Sequence, residues 1–288
     1  MLVAFLRMPA PRPTPRSAAP RAAKSAKTAP TNAAPTKAAP PTTAPPKTAR
    51  RAPRRAAAVP APNVAGEFSR RLRAWYRRNA RDLPWRQTRD AYRILVSELM
   101  LQQTQVSRVL DFYERFLVRF PDLASLAAAR EGQVLAQWRG LGYYARARNL
   151  HKLARRVVRE EASVYGGALP AAPEALRALP GVGAYTAGAV ASFAYEQRAA
   201  LVDTNVARVL KRCFAPTLHP KRGRDLARLW VIAEAVLPRT GRAGWTHNQA
   251  LMELGALVCT ARVKHCGKCP VRTMCRSKTI EEMESGSR

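Results

Sequence analysis

Acidic residues are scarce in this sequence of 288 residues, because 19 Asp and Glu stand against 50 Lys and Arg, a formal net charge of +31. Such an excess of positive charge argues for a polyanionic partner, with nucleic acid as the first candidate. No apolar run approaches the ~18 residues that cross a bilayer, which excludes a membrane-spanning protein. No convincing targeting signal is present. We therefore expect a soluble, intracellular protein with no membrane partner.

The first 64 residues have no acidic side chain at all. They contain 12 basic residues and 14 of the 23 prolines, set among Ala and Thr. A segment of this composition forms neither a regular helix nor a packed core. We predict a disordered cationic tail over residues 1–64 and a folded domain over residues 65–288.

The sequence also lacks any long alternation of apolar and polar residues, which would indicate β-strands. From Glu67 onward apolar residues recur every three to four positions, beginning with Phe68, Leu72 and Trp75, as in amphipathic helices. Glycine and proline mark turns near residues 82–84, 140–142, 165–167 and 180–183. The fold class predicted for the domain is therefore all-α, without internal repeats.

Only five cysteines are present, and four of them lie within 17 residues, while Cys213 stands apart. The four are Cys259, Cys266, Cys269 and Cys275. Such clustering in an intracellular chain indicates metal ligation rather than disulfides. The spacing C-x6-C-x2-C-x5-C supplies four thiolates for either a four-iron four-sulfur cluster or tetrahedral zinc.

The pentapeptide Leu-Pro-Gly-Val-Gly at residues 179–183 separates two helical stretches, residues 173–178 and 185–195. Its glycines permit a tight turn close to a ligand, and the next helix start offers free N–H groups to a phosphate. Such a hairpin holds the DNA backbone without reading bases. An ordinary turn between helices explains the same pentapeptide.

Two carboxylates have contrasting predicted surroundings. Glu98 lies inside an apolar helix, where desolvation favours the protonated form. Asp203 directly precedes a helical stretch, whose free N–H groups favour the ionised form. An acid and an anion are what cleavage through an oxocarbenium-like sugar cation requires. Taken singly, a solvated helix residue and a plain N-cap are the simpler interpretations.

Six motifs in order along the chain resemble those of one enzyme family. They are LPWR at residues 83–86, SELMLQQT at 97–104, GLGYYARARNLH at 140–151, LPGVG at 179–183, VD at 202–203 with Asn205, and the four cysteines. Together they resemble the catalytic domain of the MutY-type adenine DNA glycosylases, in the helix-hairpin-helix superfamily that includes endonuclease III. The resemblance covers residues 66 to about 278. It implies a two-lobed helical fold with DNA and an extruded base in the cleft.

The resemblance also implies catalytic roles for three residues. Glu98 matches the acid that protonates adenine at N7 and then activates water, and Asp203 matches the carboxylate that stabilises the sugar cation. Tyr185 matches the active-site tyrosine, at a position where lyase-competent relatives carry a lysine that attacks the sugar. We therefore expect a monofunctional glycosylase that leaves an intact abasic site.

The remaining matches concern the DNA, the base and the cofactor. Residues that wedge into the duplex or hold its backbone would be Gln103, Leu141, Tyr143, Gly181, Val182 and Gly183. The adenine pocket would be lined by Arg81, Trp85, Arg86, Asn205 and Glu253. The four cysteines would hold one 4Fe–4S cluster. Without the resemblance, Gln103, Leu141 and Tyr143 would be interpreted as core or helix-end positions. Arg81 and Arg86 would be interpreted as phosphate contacts.

The sequence departs from the family pattern twice. Thr204 stands where the family usually has glycine, so this turn cannot require a positive φ. The sequence also ends at Arg288, whereas the family commonly continues into a MutT-like domain that recognises 8-oxoguanine. We expect that module to be lacking.

The function predicted from these residues is excision of adenine mispaired with 8-oxoguanine or guanine in double-stranded DNA. We expect a monomer that acts in the cytoplasm, at the nucleoid. A thymine or uracil mismatch glycosylase is the nearest alternative, although Gln102, Gln103 and the GLGYY run favour adenine. A non-catalytic DNA-binding protein is the alternative of another class, and the joint presence of the three catalytic candidates argues against it.

Overall fold

The computed structural model describes residues 59–277, and in that range the predicted all-α fold is confirmed: the backbone forms twelve α-helices and one isolated β-bridge. Residues 1–58 of the predicted tail lie outside the described residues. Helix α1 already begins at Pro62, three residues before the predicted domain boundary. Proline suits this first helical position, where its missing N–H would have no partner.

Eight helices pack into a first lobe, in which α2 contacts α3, α6 and α9, α6 contacts α4 and α5, and α8 contacts α9. Their bounds are α2 Ala91–Leu101, α3 Val106–Arg119, α4 Leu123–Ala128, α5 Glu131–Trp138, α6 Ala145–Arg155, α7 Ala162–Tyr165, α8 Pro173–Arg177 and α9 Ala184–Tyr195. A short π-helical turn, Arg156–Glu160, joins α6 to α7. Nothing in residues 59–277 forms a helix long and apolar enough to cross a bilayer.

The second lobe consists of four helices from the two ends of the described chain. They are α1 Pro62–Asn79, α10 Thr204–Phe214, α11 Gly223–Val236 and α12 Gly241–Leu257. Helices α1 and α10 both pack on α11 and α12, and the rings of Phe68 and Phe214 meet edge to face at 4.9 Å. Helix α12 also contacts α9, so these two helices join the lobes.

Helices α2 and α9 form the buried centre of the first lobe. Eight residues of each helix are buried, so neither has the single apolar stripe of a surface helix. Their mutual packing positions two polar side chains that matter for the site, Glu98 on α2 and Tyr185 on α9. A buried position for the Glu98 carboxyl follows directly.

The predicted hairpin lies between α8 and α9, and both flanking helical stretches are present. Gly181 has a φ of +76°, which favours glycine. A Cβ at this position would lie 2.6 Å from the Cβ of Asn149. Glycine is therefore required both for the turn and for its approach to α6.

Candidate active site

Glu98 and Tyr185, two of the three predicted catalytic residues, are in direct contact. The Tyr185 hydroxyl donates a 2.7 Å hydrogen bond to Oε2 of Glu98 and lies 3.9 Å from Sδ of Met252. The Glu98 residue is 4% exposed. Helices α2, α9 and α12 thus bring a carboxyl, a phenol and a thioether to one place.

The pKa of Glu98 is raised from 4.5 to about 7. Burial is the main cause, because the charged form loses its hydration, and the nearby charge of Asp203 acts in the same direction. The hydrogen bond from Tyr185 and the charge of Arg86 oppose the shift. The predicted desolvation of this carboxyl agrees with the structure, and the solvated alternative does not.

Asp203 caps α10, as expected from its position before that helix. Its Oδ1 accepts a 2.6 Å hydrogen bond from the Val206 amide, and its Oδ2 accepts one of 3.0 Å from Nδ2 of Asn205. These bonds lower the pKa of Asp203, but burial outweighs them and raises the pKa above its usual value. The helix start thus favours the ionised form, as expected, but it does not set the pKa alone, because packing excludes water from the cap.

A second buried glutamate, Glu253 on α12, binds two of the predicted pocket residues. Arg81 donates from its amide and Nε to Oε1 at 2.9 Å, and from Nη2 to Oε2 at 2.8 Å. Arg86 donates from Nη2 to the same Oε2 at 2.7 Å. Burial alone would raise the pKa of Glu253, but the two guanidinium groups lower it to about 2. Both arginines are thus engaged by a carboxylate.

Trp85, another pocket candidate, directly precedes Arg86 in the chain. Trp85 is buried in the 3-10 turn Pro84–Arg86 and packs edge to face on Tyr113, at 5.4 Å between ring centroids. Two further residues contact Arg86: Gln249 accepts from its Nε at 3.0 Å, and the Tyr76 ring lies 5.6 Å from its guanidinium carbon. No motif in the sequence indicated Gln249, Tyr76 or Met252 as site residues, although Gln249 and Met252 lie within four residues of Glu253.

The predicted wedge residues differ in exposure. Tyr143 is 59% exposed and Gln103 is also exposed, each in a loop between two helices of the first lobe. Both have left-handed φ, 49° and 55°. Leu141 and Val182 are buried, which matches the core-packing alternative for Leu141 and does not support a DNA contact by the Val182 side chain.

The four clustered cysteines surround one small cavity between α10, α12 and the segment that follows α12. Val209, Leu254 and Val258 supply its apolar wall, and Cys213 also lines it. Arg212 lies beside the cavity, with its Nη1 3.2 Å from Sγ of Cys259. Within residues 59–277, no three or more His, Cys, Asp and Glu side chains are placed so that they could hold one metal ion. Four thiols around one space with a nearby cation form a donor set that fits an anionic iron–sulfur cluster.

Contacts also run from this cysteine segment to the carboxylate site. Arg208 on α10 donates from Nε to the Cys259 carbonyl at 2.8 Å and from Nη2 to Oδ1 of Asn205 at 2.7 Å. Asn205 in turn donates to Asp203. Gly255 makes this packing tight, because a Cβ there would lie 2.7 Å from the Cβ of Asn205.

Comparison with known proteins agrees with this architecture. Residues 96–231 match the HhH-GPD superfamily base excision DNA repair protein family. An adenine DNA glycosylase of Mycobacterium tuberculosis is 44% identical over 220 residues, covering 74% of this chain and 69% of that protein. The chain belongs to the HhH-GPD superfamily of base excision DNA repair proteins.

Two further similarities narrow the position of the chain in that superfamily. An adenine DNA glycosylase of Rattus norvegicus is 45% identical over 219 residues, which cover 73% of this chain and 41% of the rat protein. The chain therefore spans about two fifths of the length of that relative. A solved thermostable thymine-DNA glycosylase superposes with a TM-score of 0.68 at 31% identity, covering 76% of this chain and 98% of that one. The sequence similarity to the two adenine DNA glycosylases is that of a MutY-type glycosylase.

Proposed function

We propose that this protein is an adenine DNA glycosylase, which removes adenine mispaired with 8-oxoguanine or guanine from duplex DNA at the nucleoid. The observation that carries the proposal is the buried hydrogen bond between Tyr185 and Glu98, next to the Asp203 cap. It provides an acid that holds a proton near neutral pH beside a second carboxylate. The relatives that are 44–45% identical are named adenine DNA glycosylases, which supports adenine as the excised base.

In the proposed mechanism, protonated Glu98 donates its proton to N7 of the extruded adenine. The glycosidic bond then breaks, its electron pair leaves with the base, and positive charge develops on the sugar. Asp203 as a carboxylate and the Tyr185 oxygen stabilise that charge. Glu98, now ionised, removes a proton from the water that attacks the sugar carbon.

Tyr185 also decides what this site does not do. A lysine at this position would attack the sugar and form a Schiff base. The phenol has no amine, so the proposed product is an intact abasic site. The chain is therefore a monofunctional glycosylase in this proposal, acting as a monomer on DNA.

The proposed DNA contacts follow from exposure. Gln103 and Tyr143 project from their loops and fill the space that an extruded base leaves in the stack. The hairpin with Gly181 and Gly183 presents the amide groups at the start of α9 to the DNA backbone. Wedge and hairpin both belong to the first lobe, which therefore bends and holds the duplex.

We also propose that Cys259, Cys266, Cys269 and Cys275 hold a 4Fe–4S cluster. The shared cavity, its apolar wall and the adjacent Arg212 support this assignment. Such a cluster would pack the segment after α12 against α10, whose N-cap is Asp203 and whose first turn carries Asn205. Its contribution in this proposal is structural, and the excision steps use only side chains of the chain.

The proposal is tested by single-turnover excision from four duplexes that contain A:8-oxoguanine, A:G, T:G or U:G, with alkali to cleave abasic sites. We expect strand cleavage at adenine in the first two and little at thymine or uracil. Excision of thymine or uracil alone would instead support the activity of the solved thymine-DNA glycosylase. Asp203→Asn is the matched control, and it should bind the same duplexes without cleaving them.

A further inference from the structure

Arg146 on α6 is a buried arginine with an unusual set of acceptors, since its side chain bonds the two loops that carry Gln103 and Tyr143. It is 7% exposed. Its Nη1 donates to the carbonyls of Leu99 (2.7 Å), Met100 (2.8 Å) and Gln102 (2.6 Å). Its Nη2 donates to the carbonyls of Gly142 (3.0 Å) and Leu141 (3.4 Å) and to Oγ1 of Thr104 (3.3 Å), and its Nε to the Tyr143 carbonyl (3.4 Å).

Two kinds of contact explain how a cation is tolerated here. The carbonyls of Leu99, Met100 and Gln102 lie at the end of α2, where carbonyls lack intrahelical partners and the helix dipole is negative. The rings of Trp138 and Tyr143 each have their centroid 5.5 Å from the guanidinium carbon. Burial lowers the pKa of Arg146, so this position costs free energy that a solvent-exposed arginine would not.

The backbone that Arg146 holds is strained in both loops. Gln103 and Tyr143 are two of the three non-glycine residues with positive φ among residues 59–277. Side chains disfavour this conformation, which persists where surrounding contacts enforce it. Arg146 bonds the residues on both sides of Gln103 and the Tyr143 carbonyl itself. One side chain thus stabilises both strained conformations.

We propose that Arg146 is a positioning residue that fixes the Gln103 loop (residues 102–105) and the Tyr143 loop (residues 139–144) in the arrangement needed to extrude the target base. This inference rests on the proposed function of the two loops as the wedge. Arg146 touches neither base nor sugar in this role. Its effect belongs to the extrusion step and leaves the chemical step unchanged.

The test compares Arg146→Lys with Arg155→Lys. Lysine keeps the charge but loses the planar fork that reaches several carbonyls at once. Arg155 lies on the same helix, is half exposed and pairs with Glu160, so its exchange is the matched control. Excision is measured under single-turnover conditions for adenine opposite guanine and for adenine opposite an abasic site, where the base is already unpaired. Fluorescence of 2-aminopurine at the target position reports extrusion without requiring excision.

We expect Arg146→Lys to slow excision opposite guanine by at least ~10-fold relative to Arg155→Lys, and opposite the abasic site by less than ~3-fold, because an unpaired base costs less to extrude. The 2-aminopurine signal should fall in parallel. Equal losses on both duplexes would show a merely structural role and overturn the inference, as would no loss on either. Absence of excision by the wild type refutes the proposed function instead, and the fluorescence comparison still decides the role of Arg146.

Thr104→Val provides a second, milder variant, for use if Arg146→Lys does not fold. It removes one acceptor of the guanidinium, together with the bond from the Thr104 hydroxyl to the Gln102 carbonyl, and leaves the arginine in place. We expect a loss of about 2- to 3-fold opposite guanine and none opposite the abasic site. Wild-type rates on both duplexes would contradict the proposed coupling of the Gln103 loop to Arg146.

Discussion

Two buried glutamates, Glu98 on α2 and Glu253 on α12, have opposite electrostatics. Burial raises the pKa of both carboxyl groups, but that of Glu98 ends at about 7 and that of Glu253 at about 2. The difference lies in their partners: Glu98 accepts from a phenol, whereas Glu253 accepts from Arg81 and Arg86. Burial with a phenol as the hydrogen-bond donor leaves an acid, and burial with two bonded guanidinium groups leaves a fixed anion.

This difference separates chemistry from architecture in the site. A carboxyl that titrates near neutral pH can donate a proton and take one back within a catalytic cycle. A carboxylate bound by two guanidinium groups does neither, but it ties α12 to the segment between α1 and α2. Substitutions of the two glutamates should therefore fail in different ways.

The largest expected effect is on excision by Glu98→Gln. Without the proton donor, the single-turnover rate should fall by at least ~10²-fold, while DNA binding stays within about 3-fold of wild type. Thermal unfolding should show no loss of stability, since an amide is not penalised by burial as a carboxylate is. Near-normal excision would contradict the assigned role, because Glu98 would then be no more than a buried side chain.

Glu253→Gln should instead lose stability, by about 3 kcal/mol at pH 7, because two guanidinium groups lose their anion. Since the folded-state pKa of Glu253 is depressed, its contribution is complete above pH 4.5 and is lost as the pH falls toward 2. Denaturant unfolding at pH 7 and at pH 3 measures this difference. A stability gap between wild type and variant that does not narrow with acid would contradict the assignment.

The two cations should not contribute equally. The Arg86 side chain is 9% exposed and that of Arg81 is 35% exposed, so water screens the Arg81–Glu253 pair more than the Arg86–Glu253 pair. We expect Arg86→Met to cost about 3 kcal/mol and Arg81→Met about 1 kcal/mol in the free energy of unfolding. Urea titration of both variants measures the order, and the reverse order would show that exposure does not govern these pairs.

A smaller effect is expected from the hydrogen-bond partner of Glu98. Tyr185→Phe removes the hydrogen bond that lowers its pKa, so the pKa should rise further above 7. Because the protonated form is the active one, excision falls as pH rises through this pKa. The alkaline limb of the rate profile should therefore move up by as much as about one pH unit, whatever the change in maximal rate. A limb that moves to lower pH would contradict the role of this bond.

Local sequence was enough to predict several parts of the site. Apolar neighbours of Glu98 at helical spacing predicted its burial, and the position of Asp203 before a helix predicted its cap. The glycines of the hairpin predicted a turn, which the positive φ of Gly181 requires. In each case the signal lies within a few residues of the feature.

The rest depends on contacts between distant segments, which periodicity does not report. The bonds of Arg146 to the end of α2 span more than 40 residues, and that of Arg86 to Gln249 spans 163. The pKa of Asp203 also depends on such contacts: the local cap lowers it, but burial by packing raises it by more. Gln103 has a positive φ although it is not a glycine, so the sequence shows no sign of this strained backbone.

The most direct test of the account is to titrate both glutamates in one sample. The carboxyl carbon resonances of protein labelled with 13C-glutamate would be followed from pH 2 to 9, and Glu98→Gln and Glu253→Gln would assign the two signals. We predict that Glu98 titrates near pH 7 and that Glu253 stays ionised down to about pH 2. A Glu98 signal that titrates near its usual value of 4.5, or below that of Glu253, would contradict the claim that burial without a bonded guanidinium makes Glu98 the acid.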